Sequence, residues 1–171
     1  NNRHILEIAR LLVPLLQINH SNVFQSNALL DLLQFSKSDR ILELAQLLID
    51  SNIDVNHTNY LKLNALMILC RYSSSSDKMI QLAELLIRSG IEVNQQTQYG
   101  ENSLLLLLRY SQSNHTLQMT QFLLANGINI NHKDGDGFNA LMTLSRYFNY
   151  DQDIEITQLL IKKGIDINQT S

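Results

Sequence analysis

The chain has 171 residues, 44% hydrophobic and 17% charged, which is enough apolar content to bury a core and excludes a disordered chain. Its net charge of −3, without any run of Lys or Arg, lacks the footprint that phosphate neutralisation needs, so nucleic acid is not an expected partner. Apolar runs such as Leu104 to Leu108 fall far short of the ~20 residues that cross a bilayer, and the lone Cys70 excludes an internal disulfide framework and fits a reducing compartment, cytoplasm or nucleus.

The chain opens on Asn1-Asn2-Arg3-His4 and an amphipathic segment containing Glu7 and Arg10, neither an uncharged signal core nor a cleavage site. It reads as a start inside a repeat, because a motif then returns every 37 or 38 residues: Asn27-Ala28-Leu29, Asn64-Ala65-Leu66, Asn102-Ser103-Leu104 and Asn139-Ala140-Leu141. A second marker keeps the same beat at Ile18-Asn19, Val55-Asn56, Val93-Asn94, Ile130-Asn131 and Ile167-Asn168. The expected division of the single domain 1–171 is a half repeat 1–26 followed by repeats 27–63, 64–101, 102–138 and 139–171. A unit of this length cannot bury its own apolar face, so the units must stack into a solenoid.

Within each unit two short helices and a loop are predicted. The run Ala65 to Tyr72 is apolar almost all round, as suits an inner helix packed on both sides, and Leu107 is expected between stacked inner helices. Ser73 to Asp77 breaks the run and offers N-cap side chains, so a second helix should start near Lys78, with Gln81 and Glu84 on a wet face. Gly90, Gly127 and Gly164 follow at the left-handed helix end, with Asn52 in their place in the repeat 27–63. The alternating stretch Ile91 to Asn94 and polar turns such as Asp134-Gly135-Asp136-Gly137 complete a hairpin-like finger. The apolar terminal helices around Leu11-Leu12-Val13 and Leu159-Leu160-Ile161 lack the polar face of a capping repeat, which predicts either a piece of a longer chain or ends covered by something else.

The stretches Leu85 to Asn94 and Leu159 to Asn168, with Gly100 and Gly137 at the turn position, resemble the ankyrin repeat family over nearly the whole chain. The resemblance implies an all-α, ankyrin-like α-solenoid of stacked helix-loop-helix repeats with finger loops. It departs at the T-P-L-H opening, here Asn-Ala/Ser-Leu, and in units about four residues longer than 33. The added residues fall between the helices, in Ser73 to Asp77, Ser111 to His115 and Phe148 to Asp153.

No chemistry emerges from the remaining motifs. His20, His57 and His132 each follow a finger Asn, but inner helices 8–10 Å apart keep them from sharing a metal whose nitrogens must lie within about 2.1 Å. The Asp134 turn lacks the spacing of a calcium loop, and Cys70 is expected as a buried, inert thiol. The expectation is a non-enzyme with no metal and no cofactor.

Recognition remains. Arg71-Tyr72, Arg109-Tyr110 and Arg146-Tyr147 recur in register, with Gln34-Phe35 in the unit before them. The resemblance places these inner-helix ends and the finger tips on a concave groove. The candidate partner-binding residues are therefore Phe24, Tyr60, Leu61, Gln98, Tyr99 and Asp136 at the tips, and Leu63, Glu101 and Phe138 before the Asn markers. The helix ends add Arg71, Tyr72, Arg109, Tyr110, Arg146 and Tyr147, since Arg and Tyr often anchor interfaces. The other reading of the Arg-Tyr pairs is a structural ladder, each Tyr under the lengthened loop and each Arg on a helix C-terminal carbonyl. The expected function is a monomeric protein-interaction scaffold; the alternative is a structural or coupling arm of a larger enzyme, channel or effector, including one delivered into a host cell. The resemblance further suggests asparaginyl hydroxylation at Asn56, Asn94 and Asn131, each with a Leu eight residues upstream, although such residues bond the finger backbone whether or not they are modified.

Overall fold

The computed structural model describes residues 4–13, 17–72, 78–111, 115–147 and 152–168. The expected loop Ser73 to Asp77 and most of the other two lengthened loops lie outside them. Nine helices and no strands occur among the described residues: α1 Ile5–Leu12, α2 Ala28–Phe35, α3 Ile41–Asp50, α4 Ala65–Tyr72, α5 Met79–Arg88, α6 Ser103–Tyr110, α7 Thr116–Ala125, α8 Ala140–Tyr147 and α9 Gln152–Lys162. Helices α2, α4, α6 and α8 stack as an inner row, α1, α3, α5, α7 and α9 as an outer row, and each inner helix packs on the outer helix that follows it. The fold is an all-α solenoid.

The repeated Asn explains why each inner helix starts where it does. Its side-chain oxygen accepts from the backbone N–H three residues on, Asn27 from Leu30 at 3.1 Å, Asn64 from Met67, Asn102 from Leu105 and Asn139 from Met142 at 3.0 Å, which satisfies a donor that the first turn leaves orphaned. The same side chains reach forward. Asn27, Asn64 and Asn102 donate through Nδ2 to the carbonyls of Asp54, Glu92 and Asn129 in the following finger. One residue thus starts a helix and ties it to the next loop.

The central inner helices are dry all round. Leu66 to Cys70 on α4 and Leu104 to Leu108 on α6 are buried, and Leu107 is 0% exposed, as its place in the Leu run predicts. The outer helices have one dry face: on α5, Met79, Leu82, Ala83 and Leu86 are buried while Gln81 and Glu84 face solvent. The expected Ser or Asp cap of this helix is replaced. The cap position is Lys78, which makes no capping bond and whose ammonium instead donates to the Asp39 carbonyl of the preceding repeat. At the other end, Asn52, Gly90, Gly127 and Gly164 all take positive φ, 64° to 86°, and the following N–H returns to the last helical turn, as in Ile53 to the Leu48 carbonyl.

Candidate partner-binding face

Each finger is closed by a short polar side chain five residues before its Asn marker. Asn22, Asn59, Thr97 and Asp134 each accept, through one oxygen, from two backbone N–H groups: Phe24 and Ser26, Leu61 and Leu63, Tyr99 and Glu101, Asp136 and Phe138. These side chains thus hold the finger backbone in its turn. The sequence signal was present, a short side chain with oxygen in one register, but its variation from Asn to Thr to Asp hides it beside the invariant Asn. Inside each turn one residue takes positive φ, Gln25, Lys62, Gly100 and Gly137 in succession. At Gly100 the need is also steric, because a Cβ there would lie 2.7 Å from the Gly135 nitrogen of the next finger.

Neighbouring fingers are joined by backbone and side chain. The N–H of Tyr60 donates to Phe24, that of Gln98 to Leu61 and that of Gly135 to Tyr99. His57 and His132 donate through Nε2 to the carbonyls of Gln25 and Gly100, at 2.7 and 2.6 Å, so both imidazoles serve the stack. The candidate modification sites are cross-links as well. Asn56 donates to Gly90 and accepts from the Glu92 N–H, Asn94 donates to Gly127 and accepts from Asn129, and Asn131 accepts from Asp166. They bond the next finger rather than their own. Among the described residues no group of three His, Cys, Asp or Glu is placed to hold a metal, and no helix is long and apolar enough to cross a membrane. Burial pushes the Cys70 thiol pKa well up, which keeps it protonated.

The finger tips and the C-terminal ends of the inner helices share one face. Phe24, Tyr60 and Tyr99 are exposed at the tips with Gln98 and Asp136, and Leu61 is half-buried. Leu63 and Glu101, expected on this face, point inward: both are almost wholly buried, because the finger folds back at the Asn marker and carries the preceding side chain under the turn. Phe138, in the same register, is half-buried.

The Arg-Tyr pairs form a ladder, but with different rungs from those expected. Arg71 lies over the Tyr110 ring of the next repeat, 4.3 Å from its centre, and 5.4 Å from that of Tyr72, while Arg109 lies over Tyr147 at 5.7 Å. Arg146, in the last repeat, covers Phe138 instead, at 5.3 Å. The guanidinium planes meet aromatic faces in place of helix carbonyls, a cation–π arrangement. Arg109 also donates to Glu101 and, at 3.0 Å, to Asp134, so it joins its own finger to the next. Burial works to lower its pKa, but Glu101 first, then Tyr147 and Tyr110, outweigh it and leave the guanidinium above its ordinary value. The rings keep an open side, since Tyr72, Tyr110 and Tyr147 remain about 40% exposed at 40%, 41% and 38%.

One rung is different. Where Arg109 stands, repeat 27–63 has Gln34, and beside it Phe35 is 69% exposed. A cavity of about 190 Å³ opens here, lined by Phe24, Tyr60 and Leu61 from the tips, by Gln34, Phe35 and Tyr72 from the helix ends, and by Ser26, Asp31 and Asn59. The Phe24 and Tyr60 rings lie 6.2 Å apart at its mouth.

The family model of ankyrin repeats matches residues 66–171 as three copies. No curated protein matches the chain. Upstream of residue 66, α2 carries the same Asn cap and the finger ending at Ser26 the same turn as the matched repeats.

Proposed function

The chain belongs to the ankyrin repeat family, whose repeats are generally protein–protein interaction modules and typically not catalytic, and from that premise we propose that it holds a protein partner on the face shared by finger tips and inner-helix ends. The observation that carries this reading is the alignment of exposed rings there: Phe24, Tyr60 and Tyr99 along the tips, and Phe35, Tyr72, Tyr110 and Tyr147 along the helix ends. Aromatic side chains are large and lose little rotamer freedom on binding, which makes them frequent anchors, and a contiguous exposed apolar line marks an interaction surface. Their backbones are fixed beforehand by the turn and cross-finger bonds, so little ordering cost falls on association. A reducing compartment, the setting that suits the single buried thiol of Cys70, belongs to the same proposal.

The test begins with a partner recovered by affinity capture and then measures its affinity for Tyr60→Ala/Tyr99→Ala. Both side chains are exposed tips, so melting should be unchanged while affinity falls at least about tenfold, or ~1.4 kcal/mol. Undiminished affinity in the folded double variant would move the site to the outer helices.

A further inference from the structure

The cavity at Gln34 occupies the same register as the Arg109 rung, position for position. Ser26 stands where Glu101 does, Asn59 where Asp134 does, Gln34 where Arg109 does and Tyr72 where Tyr147 does. In the occupied rungs the chain supplies its own guanidinium, over Tyr110 and over Tyr147. In this one the preceding repeat supplies Gln34 in place of an arginine, and Tyr72, which has only Arg71 of its own repeat near it at 5.4 Å, lines an open space.

Two polar groups are left in that space. The Ser26 hydroxyl is buried and makes no hydrogen bond, although its counterpart Glu101 accepts from Arg109. Among the residues that line this cavity, Ser26 is the one with a buried side-chain atom left without a bond, which is costly. Asp31 lines the same cavity at a position that holds Ile68, Leu106 and Thr143 in the other repeats. Its Oδ2 accepts from Asn22 at 2.9 Å, and among the described residues no Lys or Arg pairs with it. A carboxylate, an unpaired hydroxyl and aromatic walls suit a group that is cationic, planar and rich in donors. At about 190 Å³ the space far exceeds the roughly 10–15 Å³ that one water needs.

We infer that this cavity is a receptor for an arginine side chain of the protein partner, whose guanidinium takes the place left open in the ladder, over Tyr72 and against Asp31 and Ser26. Arginine rather than lysine is assigned because a planar fork can stack on a ring and donate to two acceptors at once, whereas an ammonium is a compact point charge. The assignment deepens the proposed interaction face and rests on it.

The experiment titrates the 171-residue chain with three blocked tripeptides, Ala-Arg-Ala, Ala-Lys-Ala and Ala-norleucine-Ala, following aromatic ring resonances by NMR. The arginine peptide should shift the Tyr72 and Phe35 rings saturably below about 10 mM, the lysine peptide should bind at least about threefold more weakly, and the norleucine peptide should leave them unmoved. Asp31→Asn should weaken the arginine peptide at least about threefold. Gln34→Arg should abolish binding by restoring the missing rung, and Tyr72→Leu, which alters a half-open ring rather than the core, should do so independently.

Absence of saturable shifts would overturn the assignment, as would equal shifts with norleucine, or full binding in a folded Gln34→Arg. Ring shifts that depend on the chain's own concentration would overturn it too, by making a second copy the occupant. Because the titration needs no partner, its failure is distinguishable from that of the proposed face. A partner that still depends on Tyr60 and Tyr99 would leave the face standing and remove only the guanidinium.

Discussion

The rung at Arg109 and the rung at Gln34 occupy the same register of two different repeats and do opposite things with it. At Arg109 the groove face is closed from within: one guanidinium bridges two buried carboxylates and covers a ring of the next repeat. At Gln34 the side chain is shorter and neutral, Ser26 and Asn59 stand in place of the two carboxylates, and the space stays open between exposed rings. The turns and caps are built alike in both, because the Asn caps recur and the turn oxygen makes the same two backbone bonds whether Asn, Thr or Asp carries it. Repetition therefore fixes the scaffold, and the difference between binding surface and structural strut comes down to the few side chains in each unit that repetition leaves free to vary.

The comparison breaks first if the core does not lie where the closed rungs are. Leu107→Ala on α6 should cost about 2–5 kcal/mol, the range for a large buried aliphatic side chain, whereas Phe35→Ala at the open rung should change stability by no more than about 0.5 kcal/mol, as for other exposed positions. Chemical denaturation of both variants checks this. Equal losses would mean that the open rung is packed in solution.

Next in size is the rung itself. Arg109→Met keeps the apolar stem but strands Glu101 and Asp134, both buried, and a buried charge left without its partner costs about 3 kcal/mol. Adding Glu101→Gln should recover part of that loss, because one of the stranded charges is then gone. If Arg109→Met melts like the parent, the closed rung contributes nothing and its contrast with Gln34 loses its meaning.

Much of this could be read from the amino-acid pattern, and the reasons are physical. The repeat period, the inner and outer helices and the left-handed ends at Asn52 and Gly90 follow from strong local signals: apolar periodicity, Asn markers and glycine. The pattern showed that Arg71, Arg109 and Arg146 return in register, but their place beside the finger tips came from the family resemblance. What was hidden depends on contacts between repeats. The pattern cannot show that Arg71 reaches the ring of Tyr110 rather than a carbonyl, nor that Glu101 turns inward to meet Arg109, since each depends on how far one unit is displaced from the next. Leu63 illustrates the same limit: its place beside the tips suggested the surface, but the turn held by Asn59 carries it into the core.

A smaller effect tests whether the finger scaffold is uniform. Asn94→Ala removes a donor to Gly127 and an acceptor for Asn129, both at exposed positions, and should cost about 1 kcal/mol in all. Asn19→Ala removes the corresponding pair to Asn52 and Asp54 at the first finger and should cost the same. In a protein of this size that is a fall of about 2–4 °C in melting temperature. A marked inequality would show that the two ends differ in backbone support as well as in side chains.

The smallest effect is that of Asn52→Gly at a helix end, where a change of backbone freedom can be separated from any change of contact. Asn52 holds φ at 64° in the place that Gly90, Gly127 and Gly164 fill in the other repeats. Around each of those glycines a Cβ would meet nothing within 4 Å, so the site selects for positive φ and not for room. Two opposed terms then decide the outcome of Asn52→Gly. Glycine removes the strain of a side chain in the left-handed region, about 1–2 kcal/mol for an ordinary residue but less for Asn, and it adds about 0.5–1 kcal/mol of unfolded-state entropy. The net should lie within a few tenths of a kcal/mol of zero, on the stabilising side. Asn52→Val meets the full strain with a branched side chain that tolerates the region poorly, and should destabilise by about 1–2 kcal/mol. The reciprocal change Gly127→Asn should cost no more than about 0.5 kcal/mol, because the site offers space and Asn tolerates the angle. Melting curves of the three variants suffice. If Gly127→Asn proves far more costly than Asn52→Gly is beneficial, the helix ends flanking the open rung and those flanking the closed one are not equivalent, and the difference between the rungs would then begin in the backbone.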